Sequence, residues 1–467
     1  MKKIILTTFI FLFSFVVFTY KISESTSFQG DLARDLYEIL KISNGDFTLL
    51  GPKSSFGGIY TTPYYFYLFL PVFILTGKSI IGVIYFNAFL FSFSLAFFTY
   101  FLVKKNKSFL TSLLVSLSFI LFPFIIFSGR NPGNGFSHIP FFLIFLTIIY
   151  FFDVNQFKIW QIIALGFLFG FIVSMQFSYL PLIVPILIYI FSILKNKKLS
   201  LIFMFGFFLA FSPLIIFELK NNFVMFKNTF IDRSYLSFIE NRNLTKNINL
   251  NKINQLSLYL NINIILVFIF ILTSLILFEN KKIRTLNFSL LLASVLLFVS
   301  LRFQYSFHYL FPFLSFLSFC FLISIEKLKI NKLALIILIL LLILNYPKHY
   351  YQKTSRSYKL AKNRVEKLLS SNLIKKNDKL NILLIRSDDA PVSSGDEYRF
   401  FLAKYGYNLL NQFEYPITKK LIIFNEKINT DIKKINNWEL SQFSLSKLKS
   451  TKSILVDENM KILVLEK

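Results

Sequence analysis

The chain has 467 residues, 55% hydrophobic, 19% aromatic and only 16% charged, with 62 phenylalanines and 51 basic against 24 acidic residues, a net charge of +27. Soluble domains average about 45–50% apolar and about 25% charged residues, so a soluble enzyme, a disordered tail and a nucleic-acid-binding domain are excluded. The apolar residues fall in blocks of about 15–25, the length a helix needs to cross roughly 30 Å of hydrocarbon, which predicts a polytopic membrane protein.

In chain order the predicted spans lie near 4–20, 79–103, 108–127, 136–152, 159–175, 180–194, 199–217, 258–278, 286–301, 309–325 and 333–346. Lys2 and Lys3 precede the first block as in a signal peptide, but no small-residue cleavage site follows it. It therefore reads as a retained first helix with a cytoplasmic N-terminus. Every second loop should then be cytoplasmic and basic. Those loops are 104–107, 153–158, 195–198, 279–284 and 326–332, and with the N-terminus they hold 15 basic and 3 acidic residues. The alternation holds at each short loop, and about 11 spans place the C-terminus outside. The single cysteine, Cys320, lies inside an apolar block, so no intrachain disulfide can form.

Three exterior segments, 21–78, 218–257 and 347–467, are too long for turns. Within the first, 30–43 reads as an amphipathic helix opening at Gly30-Asp31 and closing at Asn44-Gly45. A turn-rich stretch, Gly51 to Gly58, follows. Residues 63–76 are apolar but too short to span, and fit a helix lying at the interface with its tyrosines at headgroup depth. In the tail, 355–371 reads as helix, then 380–385, 420–424, 453–456 and 461–465 as strands. The predicted division is a transmembrane domain, 1–346, with exterior loops 21–78 and 218–257, and an extracytoplasmic α/β domain, 347–467. The expected fold class is thus an all-α polytopic membrane protein with a small C-terminal α/β domain.

Charged residues gather at the exterior ends of the spans, and no acidic residue falls in the middle of an apolar block. Ion-coupled transporters need midplane carboxylates and broken helices, so these spans argue against transport and for work at the outer surface. The stretch Gly30-Asp31-Leu32-Ala33-Arg34-Asp35 is the most informative. On a helix Asp31 and Asp35 share a face with Arg34 beside them. A carboxylate held ionised by a cation suits a base that accepts a hydroxyl proton. The competing reading makes Asp31 a helix cap and Arg34 its neutralising neighbour.

The first exterior loop, with GDLARD at 30–35, LLGPKSSFGG at 49–58 and TPYYFYLFLP at 62–71, resembles the lipid-linked-sugar glycosyltransferases of the GT-C superfamily. It is most similar to the bacterial protein O-mannosyltransferase-like branch. SGRNPGNG at 128–135, SPLIIFELKNNF at 212–223, FHYLFP at 307–312 and GDEYRFFLAKYG at 395–406 resemble that branch too, in the right order over nearly the whole chain. The resemblance implies that Asp31 is the catalytic base, with Asp35 a second carboxylate. Many relatives follow the acid with Glu, where this chain has Leu32. Relatives that transfer aminoarabinose carry Glu-Lys where Thr61-Thr62 precede Pro63. Both departures count against aminoarabinose transfer and against a metal site using that Glu. No cofactor follows from the residues, and a divalent cation stays open as the alternative.

An outward-facing transferase meets no cytosolic nucleotide sugars, so the expected donor is a polyprenyl-phosphate-linked hexose or pentose. The expected acceptor is an extracytoplasmic protein, lipid or cell-envelope glycan, reached from the plasma membrane. The leaving phosphate needs fixed donors where its charge develops. Arg34, Lys53, Arg130, Arg302 and His308 are the candidate substrate-binding residues, the last four with an interface anchor as their plainer role. His138 reads as a helix-end residue, and the three histidines have no zinc spacing. Glu218 and the Asp232-Arg233 pair fit either a gate for the acceptor or solvated loop charges. A lipid or polysaccharide flippase or transporter is the rival class. A membrane scaffold presenting the tail is a third, but leaves the clustered first-loop charges unexplained.

Overall fold

The computed structural model describes residues 1–54, 58–105, 108–194, 196–232, 250–277, 281–300, 307–328, 330–387, 394–411, 414–428, 432, 435, 438–445 and 448–467. Arg302 and Arg233 lie outside the described residues. The chain divides into two compact units, one of Met1–Ile22 with Phe47–Tyr350, the other of Ser23–Asp46 with Tyr351–Lys467.

The first unit is helical. Each predicted apolar block is occupied by a helix or a bent helix pair, from Lys2–Thr19 to Asn331–Leu344. Among the described residues, three helices are long and apolar enough to cross a membrane, or up to six if each bent pair counts as one span. The Phe311–Glu326 helix is apolar on every side and buried at all positions except Phe321, as expected for a central helix. Phenylalanine rings fill the space around it; Phe98, for example, meets Phe119, Phe151 and Phe319 at 5.6–6.1 Å. The helices Ile159–Met175 and Lys197–Leu209 approach more closely than side chains allow. A Cβ at Gly166 would lie 2.0 Å from the Phe203 carbonyl oxygen, and one at Gly206 would lie 2.2 Å from that of Ile163. Small residues let backbones meet in this way.

One expectation is corrected here. Apolar helices are broken in this unit: Phe109–Leu121 meets Pro123–Arg130 at 64°, and Lys197–Leu209 meets Ser212–Lys220 at 56°. Pro123 and Pro213 open the second members. Proline lacks the amide donor and clashes with the preceding turn, so the ladder cannot run through. Among the described residues no carboxylate sits in the middle of an apolar helix, Glu326 being at a helix end.

The second unit carries a four-stranded sheet, β1 (Leu380–Ile385), β2 (Lys420–Asn425), β3 (Ser450–Asp457) and β4 (Met460–Glu466), in the order β1-β2-β4-β3. β1 and β2 run parallel, with the Asp396–Lys404 helix in their crossover, whereas β2–β4 and β3–β4 are antiparallel. Leu383, Leu421, Ile423 and Leu463 build the core on one face with Leu440 and Phe443. On the other, Tyr398 stacks on Phe424 at 3.6 Å. Buried Arg399 ties this unit together, donating to the carbonyl oxygens of Ser394, Leu410 and Ile382 and to the Asn381 side chain. The Gly30–Ser43 helix belongs to this unit. Phe28, just ahead of it, meets Phe400 and Phe401 at 5.6 and 5.7 Å, and its amide donates to the Arg356 carbonyl at 2.8 Å.

Candidate active site

The Gly30–Ser43 helix is amphipathic: Leu32, Ala33, Leu36, Ile39, Leu40 and Ile42 are buried, and Asp35 is buried with them. Gly30 takes φ +55°, the left-handed region that favours glycine, where the chain turns into the helix. Arg34 joins the two acids. Its Nε and Nη2 donate to Asp35 Oδ1 at 2.9 and 2.6 Å, and its Nη1 donates to Asp31 Oδ1 at 2.7 Å. The planar fork is thus held from the buried side by Asp35 and presents Asp31, whose side chain is 61% exposed. Asp31 is not the cap residue; Gln29 holds that position and makes no side-chain cap bond.

Burial pushes the Asp35 carboxyl up from its ordinary 3.8 to about 7, against the lowering pull of Arg34 and with a smaller push from Asp31 and Glu38. Its Oδ2 is buried without a hydrogen-bond partner among the described residues, which disfavours the ionised form further. Burial works against the Arg34 charge, yet Asp35 and then Asp31 hold its guanidinium above the ordinary value. On the neighbouring helix, burial likewise raises Glu397 from 4.5 to about 7, Asp396 adding to the shift and Arg356 and Arg386 opposing it. Glu397 escaped the sequence reading because adjacent acids look alike in sequence, and only the fold buries Glu397 while leaving its neighbour Asp396 half-buried.

These shifts have a consequence for stability. Between about pH 4 and pH 7 the folded chain keeps protons on Asp35 and Glu397 that the unfolded chain has released. Rising pH therefore removes stability across this window, by at most about 1.4 kcal/mol per pH unit for each group, and the loss ends above pH 7. With Trp160 replaced by Phe, Trp438 reports this unit alone. The expected melting temperature falls from pH 5 to pH 7, and Asp35→Asn with Glu397→Gln flattens the curve. A wild-type melting temperature that rises over this range would contradict the assignment.

The remaining candidates lie in the helical unit. Arg130 is buried, and its Nη1 donates to the carbonyl oxygens of Val17, Phe18 and Tyr20 at 3.3, 3.1 and 2.9 Å. It anchors the C-terminal end of the first helix, where a cation meets the negative end of the dipole. The 128–135 stretch around it is fixed by Asn87, donating to the carbonyls of Ser128 and Gly129, and by Tyr65, donating to that of Pro132. His308 joins this group: its ring lies 5.8 Å from that of Phe136, beside Gly135. Thus two stretches that carried the family resemblance meet. His138 hydrogen-bonds through Nε2 to the Gly135 carbonyl and through Nδ1 to the Tyr179 hydroxyl, a structural role at a helix start. Lys53 is exposed on a short antiparallel bridge to Tyr60. Glu218 accepts from the amides of Met225 and Phe226 at 3.0 and 2.9 Å, so it supports a turn. Among the described residues no group of three or more His, Cys, Asp or Glu is placed to hold a metal ion.

Two solved structures are similar to this chain almost end to end. One is the crystal structure of ArnT from Cupriavidus metallidurans bound to undecaprenyl phosphate, with a TM-score of 0.64 at 8% identity over 99% of this chain and 97% of that one. The other is the same protein in the apo state, with a TM-score of 0.59 at 7% identity and the same coverage. The chain folds like ArnT. No family model and no curated protein matches the sequence. At this identity the likeness establishes the fold alone, an array of apolar helices with a small sheet.

Proposed function

We propose that the protein is an integral-membrane glycosyltransferase of the plasma membrane that moves a sugar from a polyprenyl-phosphate donor to an extracytoplasmic acceptor. The Asp31–Arg34–Asp35 arrangement carries this reading: an exposed carboxylate is oriented by a guanidinium that a buried carboxylate fixes from behind. The ArnT-like fold supports it, since one of those structures holds undecaprenyl phosphate. Asp31 takes the proton of the acceptor hydroxyl as its oxygen bonds to the anomeric carbon. The bond from that carbon to the lipid phosphate breaks, and the configuration inverts. Arg34 and Asp35 are positioning residues, and a fixed carboxylate spares the reaction the cost of orienting a base.

Lys53, His308 and Arg302 are proposed to receive the leaving phosphate, whereas the Arg130 donor spent on helix carbonyls serves the fold. Arg302→Ala should weaken donor use far more than Arg302→Lys, because Lys keeps the charge without the fork. Equal activity in both variants would make Arg302 a membrane anchor. The mannosyltransferase-like branch and protein glycosylation are proposed on the sequence resemblance. They are tested by incubating the purified protein with a panel of polyprenyl-phosphate sugars and protein, lipid and glycan acceptors.

The proposed functional division keeps 1–346 as the transferase domain and 347–467 as the exterior domain. Ser23–Asp46 and Tyr351–Lys467 form one compact unit, so the helix bearing the proposed base is proposed to belong with the exterior domain. The proposed orientation puts the N-terminus in the cytoplasm and the tail outside. Labelling from the outside should modify a cysteine placed at Asn372 and miss one at Lys158, both exposed positions. The opposite pattern reverses the orientation.

A further inference from the structure

Transfer chemistry leaves unused a cavity of about 670 Å³ in the helical unit. Three chain segments bring four lysines to it: Lys105 ends one helix, Lys281 and Lys282 open another, and Lys327 follows a third. Among the described residues one carboxylate, Asp153, lines the same wall, and its Oδ1 already accepts from the amide and side chain of Asn155. Lys327 pairs with Glu326 at 2.7 Å. Lys282 is half-buried rather than extended to water. Its ammonium donates to the Phe152 carbonyl at 3.1 Å and lies 5.7 Å over the Tyr150 ring. Gathering like charges at one hollow costs free energy that a bound anion would offset.

The charge alternation along the sequence assigned these loops to one side, and four of the five contribute to this cavity. They meet at the ends of apolar helices, where lipid headgroups lie. The same wall carries Tyr150, Phe151 and Ile193, apolar surface suited to the glycerol and first methylenes of a lipid. We infer that this cavity binds the phosphate of an anionic phospholipid, separately from the sugar-transfer site. A free phosphate shares the headgroup chemistry but has no use for the apolar wall.

The test uses the full-length protein in detergent, with native mass spectrometry counting retained lipid. Phosphatidylglycerol should be retained over phosphatidylcholine. Each lysine near a headgroup is worth about fivefold in affinity, so Lys105→Gln with Lys282→Gln should lose about 25-fold. Arginine at both positions should restore retention, which separates lost charge from lost folding. Millimolar inorganic phosphate should not displace the lipid. Equal retention of both lipids, a glutamine variant that binds as wild type, arginine variants that fail to restore binding, or displacement by inorganic phosphate would each overturn the proposal.

Discussion

Asp31→Asn is expected to fold, insert and bind the lipid donor normally while losing about 10²–10⁴-fold in the rate of sugar transfer, the usual effect of removing a general base. Asparagine keeps the shape and can still accept from Arg34, so the helix start is undisturbed. What disappears is the proton acceptor. Asp35→Asn should be milder at the chemical step, because its carboxyl touches Arg34 and not the exposed side of Asp31. It should also shift the pH profile, since Asp35 ionises at about 7 and its charge steadies the fork that orients Asp31. Single-turnover transfer at saturating donor, with a thermal melt of each variant, separates these effects. Near-normal transfer by Asp31→Asn would remove it from the base role, and an early melt would make it a structural residue.

Gly166→Leu should prevent stable folding of the helical unit, the largest structural effect expected from a single substitution here. Even the Cβ would stand 2.0 Å from a backbone carbonyl oxygen, and backbone cannot rotate away as a side chain can. The contact is reciprocal, with Gly170 against the Phe207 carbonyl at 2.2 Å and Gly206 against that of Ile163 at 2.2 Å, so the two helices must part along their length. Overpacking costs about 1–3 kcal/mol for smaller insertions, so Gly166→Ala should already lower the melting temperature. Gly133→Ala is the control, its nearest neighbour being a Phe136 ring carbon at 3.4 Å. Similar melts for Gly166→Ala and Gly133→Ala would mean that the helix pair has room to spare.

Much of this architecture is legible in the sequence because the deciding signals are local. Apolar block length located the helices, and short runs rich in β-forming residues located the strands. The helix at Gly30–Ser43 followed from its opening and closing residues and its apolar stripe. The same stripe places Asp35 among Leu32, Leu36 and Ile39, so its burial was readable too. The bends and the close helix pair were missed, although Pro123, Pro213 and the Gly166-Phe167-Leu168-Phe169-Gly170 spacing carry a signal for them.

Long-range pairing was not legible. Nothing near Phe28 announces that it meets Phe400, and nothing in a charge pattern tells an arginine spent on helix carbonyls, such as Arg130, from one offered to a phosphate. The convergence of Lys105, Lys282 and Lys327 on one cavity is hidden for the same reason. Charge patterning gives the side on which a loop lies but not its neighbours there.

The most direct test of the central claim is donor discharge in proteoliposomes: polyprenyl-phosphate sugars are supplied with envelope acceptors, and released polyprenyl phosphate is measured for wild type and Asp31→Asn. A transferase with Asp31 as its base discharges at least one donor in step with sugar appearing on the acceptor, and the variant does so about 10²–10⁴-fold more slowly. Intact donors throughout, with labelled lipid moving between leaflets at the same rate in both proteins, would contradict transfer and make the protein a flippase.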